Sequence, residues 1–292
     1  MSDLPATAAS EPAGWRQTSA QVVHVRPNHG LWDLELDQVW NYRGLLATLI
    51  RRDIMVLYRQ AALGAGWAII QPLFAVVIFT IIFGMVAKIP TPGGVPYPIF
   101  AFAAVLPWNY FAECVRRGSL GLVNESELVR KVYFPRLLIP LAGAVGPLVD
   151  FCIGLVVLLV LMAFFGVMPT WHLIVIPPLI LLAGVLGLAI ALWLGPINVR
   201  FRDVKHTLTF MLQIWMYGSP VVYSFSMVPE KWKMLFALNP MVGVIEGFRW
   251  AVFGQGSADL AALAVSAAVT LVLLLGGLVF FKRMELSFAD LI

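Results

Sequence analysis

Side chains able to do chemistry are few in this sequence, and no catalytic motif joins them. The chain contains no GxxxxGK[ST] phosphate loop, no HExxH zinc motif and no GxSxG nucleophile elbow. Its four histidines are scattered, and Cys114 and Cys152 lie in apolar runs without a partner at metal or redox spacing. We therefore expect no catalytic residue, no metal site and no cofactor in this chain, and we interpret both cysteines as packing residues.

The most concentrated charge surrounds Phe201, in the segment NVRFRDV. Arg200, Arg202 and Asp203 follow a run, 151–199, that contains no Asp, Glu, Lys or Arg. Arginine and aromatic side chains are favoured anchors of protein contacts. The charges alone fit anchoring at a membrane surface, whereas the aromatic residue indicates a protein contact, and the residues leave both interpretations open.

Two carboxylates lie where a charge is costly. Asp53 falls in the apolar arc of a helix-forming segment, 42–60. It should have a basic partner or a helix N-terminus nearby, unless it is simply exposed on a frayed helix. Asp150 lies inside a long apolar run and could be a proton relay or a helix-packing group, and its position favours packing or a bonded partner.

A further group of candidates surrounds the apolar region 218–256, which prolines and glycines interrupt too often for two full spans. The pattern fits a re-entrant pair of half-helices shielded by protein or water, or an interfacial hairpin that only caps the bundle. Glu246 and Arg249 are three residues apart, so they can pair, and exchanging them should restore part of what one charge reversal damages. Aromatic residues belong mostly to the interfacial belt, but those facing an interior path could stack on sugar rings. The candidates for a channel or gate are Trp108, Tyr110, Phe111, Tyr217, Tyr223, Glu246 and Arg249.

These residues must be positioned by membrane helices, because the chain has too little polar surface to cover a globule in water. Of 292 residues, 60% are hydrophobic and 12% are charged, about half the charged share of an average soluble domain. A spanning helix needs roughly 20 apolar residues. The sequence predicts an all-α integral membrane protein with six transmembrane helices, at 66–87, 98–112, 137–165, 173–194, 207–223 and 260–281, the second being short unless it continues toward Arg117.

Basic residues fall mainly on one side of these spans, which holds 16 of the 20 lysines and arginines. Because cytoplasmic loops retain such residues, we expect both termini in the cytoplasm. Anionic lipid accounts for the positive balance, so no nucleic-acid partner is expected. Residues 1–40 lack a continuous apolar core and are expected to be a cytoplasmic segment without a secretory signal, disordered over the Ala-, Ser- and Pro-rich residues 1–20.

Two cytoplasmic helices are predicted outside the spans. The segment 42–60 places its aliphatic residues on one face and its arginines on the other, as in an amphipathic interface helix whose arginines face lipid headgroups. Its candidate residues are Arg51, Arg52, Asp53, Tyr58 and Arg59. The loop 119–140 predicts a short amphipathic helix that Asn124 caps, with Glu127 three residues on and Pro135 at its end.

Five stretches together give the strongest indication of family. In order they are LIRRDIMVLYRQAALGAGWAIIQPL (49–73), GVPYPIFAFAAVLPWNYF (94–111), ELVRKVYFPRLLIPLAG (127–143), NVRFRDV (198–204) and SPVVYSFSMVPEKWKMLFALNPMVGVIEGFRW (219–250). The combination resembles the membrane-spanning permease of ABC-type polysaccharide exporters, which have the type-2 ABC transporter fold. The resemblance covers almost everything from 21 to 281.

By this resemblance, residues 41–292 would form a transmembrane domain that pairs with a second copy around a conduit in the bacterial inner membrane. Two cytosolic ABC ATPase subunits would dock below and bind ATP and Mg²⁺, so this chain would not be an enzyme. The substrate would be a lipid-linked polysaccharide, such as an O-antigen or capsule chain. ATPase closure would push on two loops, whose coupling residues would be Glu125, Glu127, Leu128, Arg130, Lys131, Arg200, Phe201, Arg202 and Asp203.

Two other functions stay open at this stage. Related type-2 ABC permeases export drugs or lipids, although the stretches VYFPRLLIP and LNPMVGVIEGFRW favour polysaccharide. An integral membrane polyprenol-sugar transferase, an enzyme, would need paired acidic residues at an aqueous face. Asp53 and Asp203 are the only plausible pair, and neither has a neighbouring metal-type ligand.

Overall fold

The computed structural model describes residues 36–59, 66–201, 203–255 and 259–285 together with Phe288. Within these ranges the chain is helical and contains no strand, as an all-α protein requires. The disorder predicted for residues 1–20 lies outside the described residues.

Twelve α-helices make up the described chain, joined by short turns. They are α1 Leu36–Asn41, α2 Arg43–Arg59, α3 Gly66–Phe79, α4 Tyr97–Asn124, α5 Ser126–Lys131, α6 Leu138–Val145, α7 Leu148–Phe164, α8 Ile176–Arg200, α9 Val204–Tyr217, α10 Glu230–Ala237, α11 Pro240–Phe253 and α12 Leu260–Glu285. Helix α3 continues as a π-helix over Thr80–Val86.

Five helical segments of the described chain are long and apolar enough to cross a membrane: Ile69–Val86, Tyr97–Asn124, Leu138–Phe164, Trp171–Arg200 and Leu260–Glu285. They confirm five of the predicted spans. The second is longer than its apolar run, because α4 continues through Glu113 and Arg117 to Asn124. The third is built from α6 and α7, which meet at Gly146 and Pro147.

The predicted span at 207–223 corresponds to α9, which is shorter than expected. Helix α9 has 14 residues and ends at Tyr217, which corresponds to about 21 Å of helix against a hydrocarbon thickness of about 30 Å. Turns follow over residues 218–223, where Gly218 and Pro220 interrupt the helix. Six spans therefore stay a prediction.

Helix α4 lies at the centre of the bundle and packs on α6 and α8. Small residues permit this close approach, as is usual where lipid supplies no hydrophobic driving force between helices. A Cβ added at Gly143 of α6 would lie 2.6 Å from the Gly118 backbone nitrogen of α4, and a Cβ added at Gly118 would lie 2.6 Å from the Ala191 Cβ of α8. The aliphatic side chains of α7 and α12, by contrast, include many that face outward.

The predicted cap of the loop helix is wrong by one position. Asn124 is the last residue of α4, Glu125 lies between the helices, and α5 begins at Ser126 without a side-chain cap. Helix α4 extends to Asn124 because Leu122, near its end, is buried in the core, so the apolar face of the helix remains covered there. Helix α5 ends at Lys131, before Pro135.

Candidate functional site

Helix α2 reaches the junction of α4 and α5 through one arginine. The Arg52 Nη1 and Nη2 atoms donate to the two Glu125 carboxylate oxygens at 2.8 and 2.5 Å. Arg52 Nη2 also donates to Asp53 Oδ1 at 2.9 Å. Asp53 thus has the basic partner that its position required. The carboxylate at the helix junction binds Arg52, whose side chain is still 41% exposed, and the expectation that it faces lipid headgroups stays a prediction.

The other residues predicted for the interface helix are less informative. Arg51 is exposed. The side chains of Tyr58 and Arg59 lie outside the described part of the structure. The amphipathic interface position of α2 therefore stays a prediction.

A second group of charges lies deeper in the bundle, on α4 and α7. Glu113 Oε2 accepts from Arg116 Nη2 at 2.6 Å and from Arg117 Nε at 3.0 Å. Arg117 Nη2 donates to Asp150 Oδ2 at 3.1 Å. Asp150 therefore has the bonded partner that its position favoured over a proton relay. Mutual pairing lowers the cost of placing these charges within candidate spans.

A cavity of about 330 Å³ is lined by residues of α2, α4 and α6. Arg52, Arg116 and Arg117 line it together with Asp53 and Glu125. Each of these guanidinium groups is already paired with at least one carboxylate. The cavity has charged side chains on an otherwise mostly apolar lining and is roomy enough for several water molecules, but its arginines are not free to act as an anion site in this conformation.

The short helix α5 presents a solvated surface. Glu127 Oε2 and Lys131 Nζ pair at 2.5 Å while both side chains remain more than 70% exposed. Leu128 is half-buried and Arg130 is exposed. Exposed Tyr133 follows the helix. Such an arrangement of charge and exposed apolar surface suits a protein contact better than a simple chain reversal.

The segment that follows α8 is fixed at one end and exposed at the other. The Asn198 side chain is buried, and its Nδ2 donates to the Ser119 carbonyl of α4 at 3.3 Å. Three residues later Phe201 is 57% exposed, with the Arg200 guanidinium 5.4 Å from its ring. Asp203 precedes α9, and its carbonyl accepts from the first turn of that helix. Arg202 lies outside the described residues.

On the opposite side of the bundle, Arg249 binds a stretch of non-helical backbone. Its Nη1 donates to the carbonyls of Pro220 and Tyr223 at 2.8 and 3.0 Å, and its Nη2 donates to the Val221 carbonyl at 2.8 Å. The guanidinium lies 3.7 Å from the Phe100 ring centroid. We call this set of contacts the carbonyl clamp.

Two further side chains complete the carbonyl clamp. Glu246 Oε1 accepts from Arg249 Nη1 at 3.1 Å and from the Phe225 backbone nitrogen at 3.0 Å. The Tyr97 hydroxyl donates to the Val222 carbonyl at 2.8 Å. The expected pairing of Glu246 with Arg249 is present. The sequence analysis did not predict the carbonyl contacts. Irregular backbone in an apolar region always needs hydrogen-bond donors for its carbonyls, and Pro220 in an otherwise apolar stretch was the available sign of such backbone.

Three of the aromatic channel candidates belong to the core of the single chain. Trp108 and Phe111 are buried and pack edge-to-face on Trp215. Tyr110 is also buried, and its hydroxyl donates to the Ala144 carbonyl at 3.2 Å. In this conformation these three side chains line no open path in the described chain, because α4 is the central helix of the bundle and does not border a conduit.

The two remaining candidates lie near the exposed surface of α9. Tyr217 is 50% exposed, and its carbonyl accepts the Tyr223 hydroxyl at 3.5 Å. Only Leu208 and Leu212 of α9 are buried. The helix exposes polar side chains together with large apolar ones: Thr209, Phe210, Gln213, Ile214 and Tyr217.

Comparison with known proteins gives a consistent result. Residues 44–253 match the family of ABC-2 type transporters. The chain is 31% identical over 255 residues to the O-antigen export system permease protein RfbA of Myxococcus xanthus, covering 87% of this chain and 97% of that protein. It is 24% identical to the Klebsiella pneumoniae protein of the same name, over 85% of this chain and 95% of that protein. The polysialic acid transport protein KpsM of Escherichia coli is 23% identical, over 81% and 92% respectively. The family match includes α5, the segment around Phe201 and the carbonyl clamp.

Proposed function

We infer that this chain, which belongs to the ABC-2 type transporter family, is the permease subunit of an ATP-driven exporter of polysaccharide. The observation that carries this inference is the nearly full-length likeness to permeases named for O-antigen export. A third relative is named for polysialic acid transport. The common feature of these polymers is a long, polar chain, so we propose a lipid-linked polysaccharide of the O-antigen or capsule class as the substrate.

The energy for export would come from a separate cytosolic ATPase, because the sequence contains no phosphate loop. We propose that two ATPase copies, with their ATP and Mg²⁺, bind α5 and the segment around Phe201. Both carry exposed apolar and charged side chains at the ends of long helices. Asn198 ties the end of α8 to α4, which leads directly to α5. A push on either surface would therefore reach the same central helix.

The path for the polymer would form between two copies of this chain. A helix at membrane depth that exposes Thr209 and Gln213 next to Phe210 and Tyr217 does not suit a purely lipid surface. We propose that α9 faces the conduit and the second copy, and that it crosses the membrane together with the non-helical residues 218–223 as the sixth span. Helices α10 and α11 would be the re-entrant pair on the outer side.

Orientation in the bacterial inner membrane follows from the charge distribution. Helix α5 and the segment around Phe201 carry basic residues, as cytoplasmic loops do. We propose that both termini are cytoplasmic and that α2 lies along the cytoplasmic interface. The transmembrane domain would then occupy residues 41–292.

Co-expression with an ABC ATPase tests the function directly. The chain is co-expressed with an ABC ATPase subunit of the same organism, and single cysteines along α5 are crosslinked to that ATPase in membranes. We expect crosslinks on the exposed face of α5 and ATP-dependent appearance of polymer outside the inner membrane. A chain that exports polymer without the ATPase, or that yields no crosslink along all of α5, would contradict the proposal.

A further inference from the structure

Helix α2 is connected to the end of α4 across an open space. Its backbone packs on α6, whereas the cavity of about 330 Å³ separates it from α4. The Arg52 side chain spans this gap and binds both carboxylate oxygens of Glu125, at 2.8 and 2.5 Å. A two-point contact of this kind fixes orientation as well as distance.

Glu125 occupies the bend between α4 and α5. Its backbone dihedrals, φ −98° and ψ 20°, lie in the sparsely populated bridge region. Hydrogen bonding nevertheless continues through the bend: the Glu125 nitrogen donates to the Gly121 carbonyl at 2.9 Å, and the Val129 nitrogen donates to the Glu125 carbonyl at 3.0 Å. The side chain at this bend is therefore placed to set the angle between the two helices.

Asp53 holds the guanidinium in the orientation that Glu125 needs. Its Oδ1 accepts from Arg52 Nε at 3.2 Å and from Nη2 at 2.9 Å. The hydrogen bond to Glu125 raises the pKa of Arg52 above its already high ordinary value. Arg52 thus stays charged at every physiological pH.

The opposite end of α4 contacts the carbonyl clamp. Tyr97, its first residue, binds the Val222 carbonyl, and Phe100 lies under Arg249. Helix α4 has 28 residues, about 42 Å of continuous helix. A displacement of α5 would therefore reach the non-helical backbone on the far side of the bundle only if α4 and α5 move together. If the chain bends at Glu125 instead, the displacement stops there.

We propose that the Arg52–Glu125 ion pair is a latch that keeps α2, α4 and α5 moving as one unit. The role rests on the proposed function in one respect, that the ATPase pushes on α5. With the latch closed, such a push displaces α2 and the whole of α4. With the latch open, the push bends the chain at Glu125, and α2 and the rest of α4 are not displaced.

The mechanical part of this proposal is tested without the ATPase. Spin labels are placed on α2 and α5 through Thr48→Cys and Lys131→Cys, in the Cys114→Ala, Cys152→Ser background of the full chain in lipid nanodiscs. Both labelled positions are exposed. We expect one narrow distance distribution for the otherwise unchanged chain and a broadened one for Glu125→Gln or Arg52→Gln.

The charge exchange Arg52→Glu with Glu125→Arg should narrow the distribution again. The narrowing should be only partial, because Asp53 remains beside the new carboxylate and repels it. Arg43→Glu, an exposed position on the same helix, is the matched control and should leave the width unchanged. A partly exposed ion pair of this kind shifts such an equilibrium by about fivefold, or about 1 kcal/mol. Equal widths in Glu125→Gln and the unchanged chain would overturn the latch.

The functional part is measured as ATP hydrolysed per polymer exported by the complex with the ATPase. We expect this ratio to rise roughly fivefold in Glu125→Gln and to fall again in the charge exchange. A broadened distance with an unchanged ratio would overturn the latch as a coupling device. A chain that binds no ATPase would overturn the proposed function, while the distance measurement would still decide whether α2 and α5 move together.

Discussion

Arg249 illustrates how one side chain can satisfy backbone that no helix satisfies. The carbonyls of Pro220, Val221 and Tyr223 all accept from its guanidinium. Each would otherwise be an unpaired polar group in an apolar region, at a cost of several kcal/mol. The planar fork of an arginine is suited to several acceptors at once, and a lysine ammonium is not.

This geometry changes the outcome expected from exchanging Glu246 and Arg249. Their spacing alone predicts partial rescue, but a carboxylate at position 249 would face the three carbonyls and repel them. We therefore expect Arg249→Glu, Arg249→Lys and the double exchange all to lower the yield of folded protein in detergent, with no rescue in the double variant. Glu230 and Lys233, an exposed pair at the same spacing, serve as the control, and their exchange should be tolerated. Recovery of export by the double exchange at positions 246 and 249 would contradict the role of the carbonyl clamp.

Phe201 gives a second prediction at the residue scale. More than half of this side chain is exposed, so its removal should cost little stability while removing an anchor of a protein contact. We expect Phe201→Ala to assemble normally but to export at a fraction of the usual rate while the ATPase continues to turn over. Phe164→Ala, which alters another exposed phenylalanine at the end of α7, is the control. Normal export by Phe201→Ala would argue that the segment is only a membrane anchor.

Helix packing supplies a prediction at the scale of elements. Gly143 brings α6 against the α4 backbone, with no space for a methyl group. Gly143→Ala should therefore force the helices apart and destabilise the protein by about 1–3 kcal/mol, measured as a lower melting temperature in detergent. Gly44 on α2 has nothing within 4 Å of an added Cβ, so Gly44→Ala should be neutral or slightly stabilising. Equal melting temperatures for the two variants would mean that the α4–α6 contact is not tightly packed.

Hydrophobic runs made five spans predictable, and the contacts between elements were not. Each span is a local property, since about 20 apolar residues suffice to define it. Arg52 and Glu125 are 73 residues apart, and nothing in either segment alone says that they meet. Trp108 and Phe111 could equally have belonged to a core, an interfacial belt or a channel, because all three environments favour aromatic residues. Only the central position of α4 decides between them.

For the described helices taken together, the decisive feature is the difference between the exposed faces of α7 and α9. The outward face of α7 carries Val156, Val160 and Phe164, which suits lipid. The outward face of α9 mixes Thr209 and Gln213 with aromatic residues, which suits a second copy and a path for a polar polymer. If α9 crosses the membrane as proposed, a single chain would leave that mixed face in the bilayer at an energetic cost, so we expect pairing to be permanent rather than induced by substrate.

Cysteine crosslinking in native membranes tests this asymmetry. In a background without Cys114 and Cys152, we expect Gln213→Cys or Tyr217→Cys to form a disulfide-linked dimer with or without ATP. Val160→Cys should remain monomeric under the same oxidation, because its face is directed to lipid. Crosslinking at position 160 but not along α9 would place the second copy on the other side of the chain. The conduit would then have to be lined by α7, whose outward residues Val156, Val160 and Phe164 offer a polar polymer no hydrogen-bonding side chain.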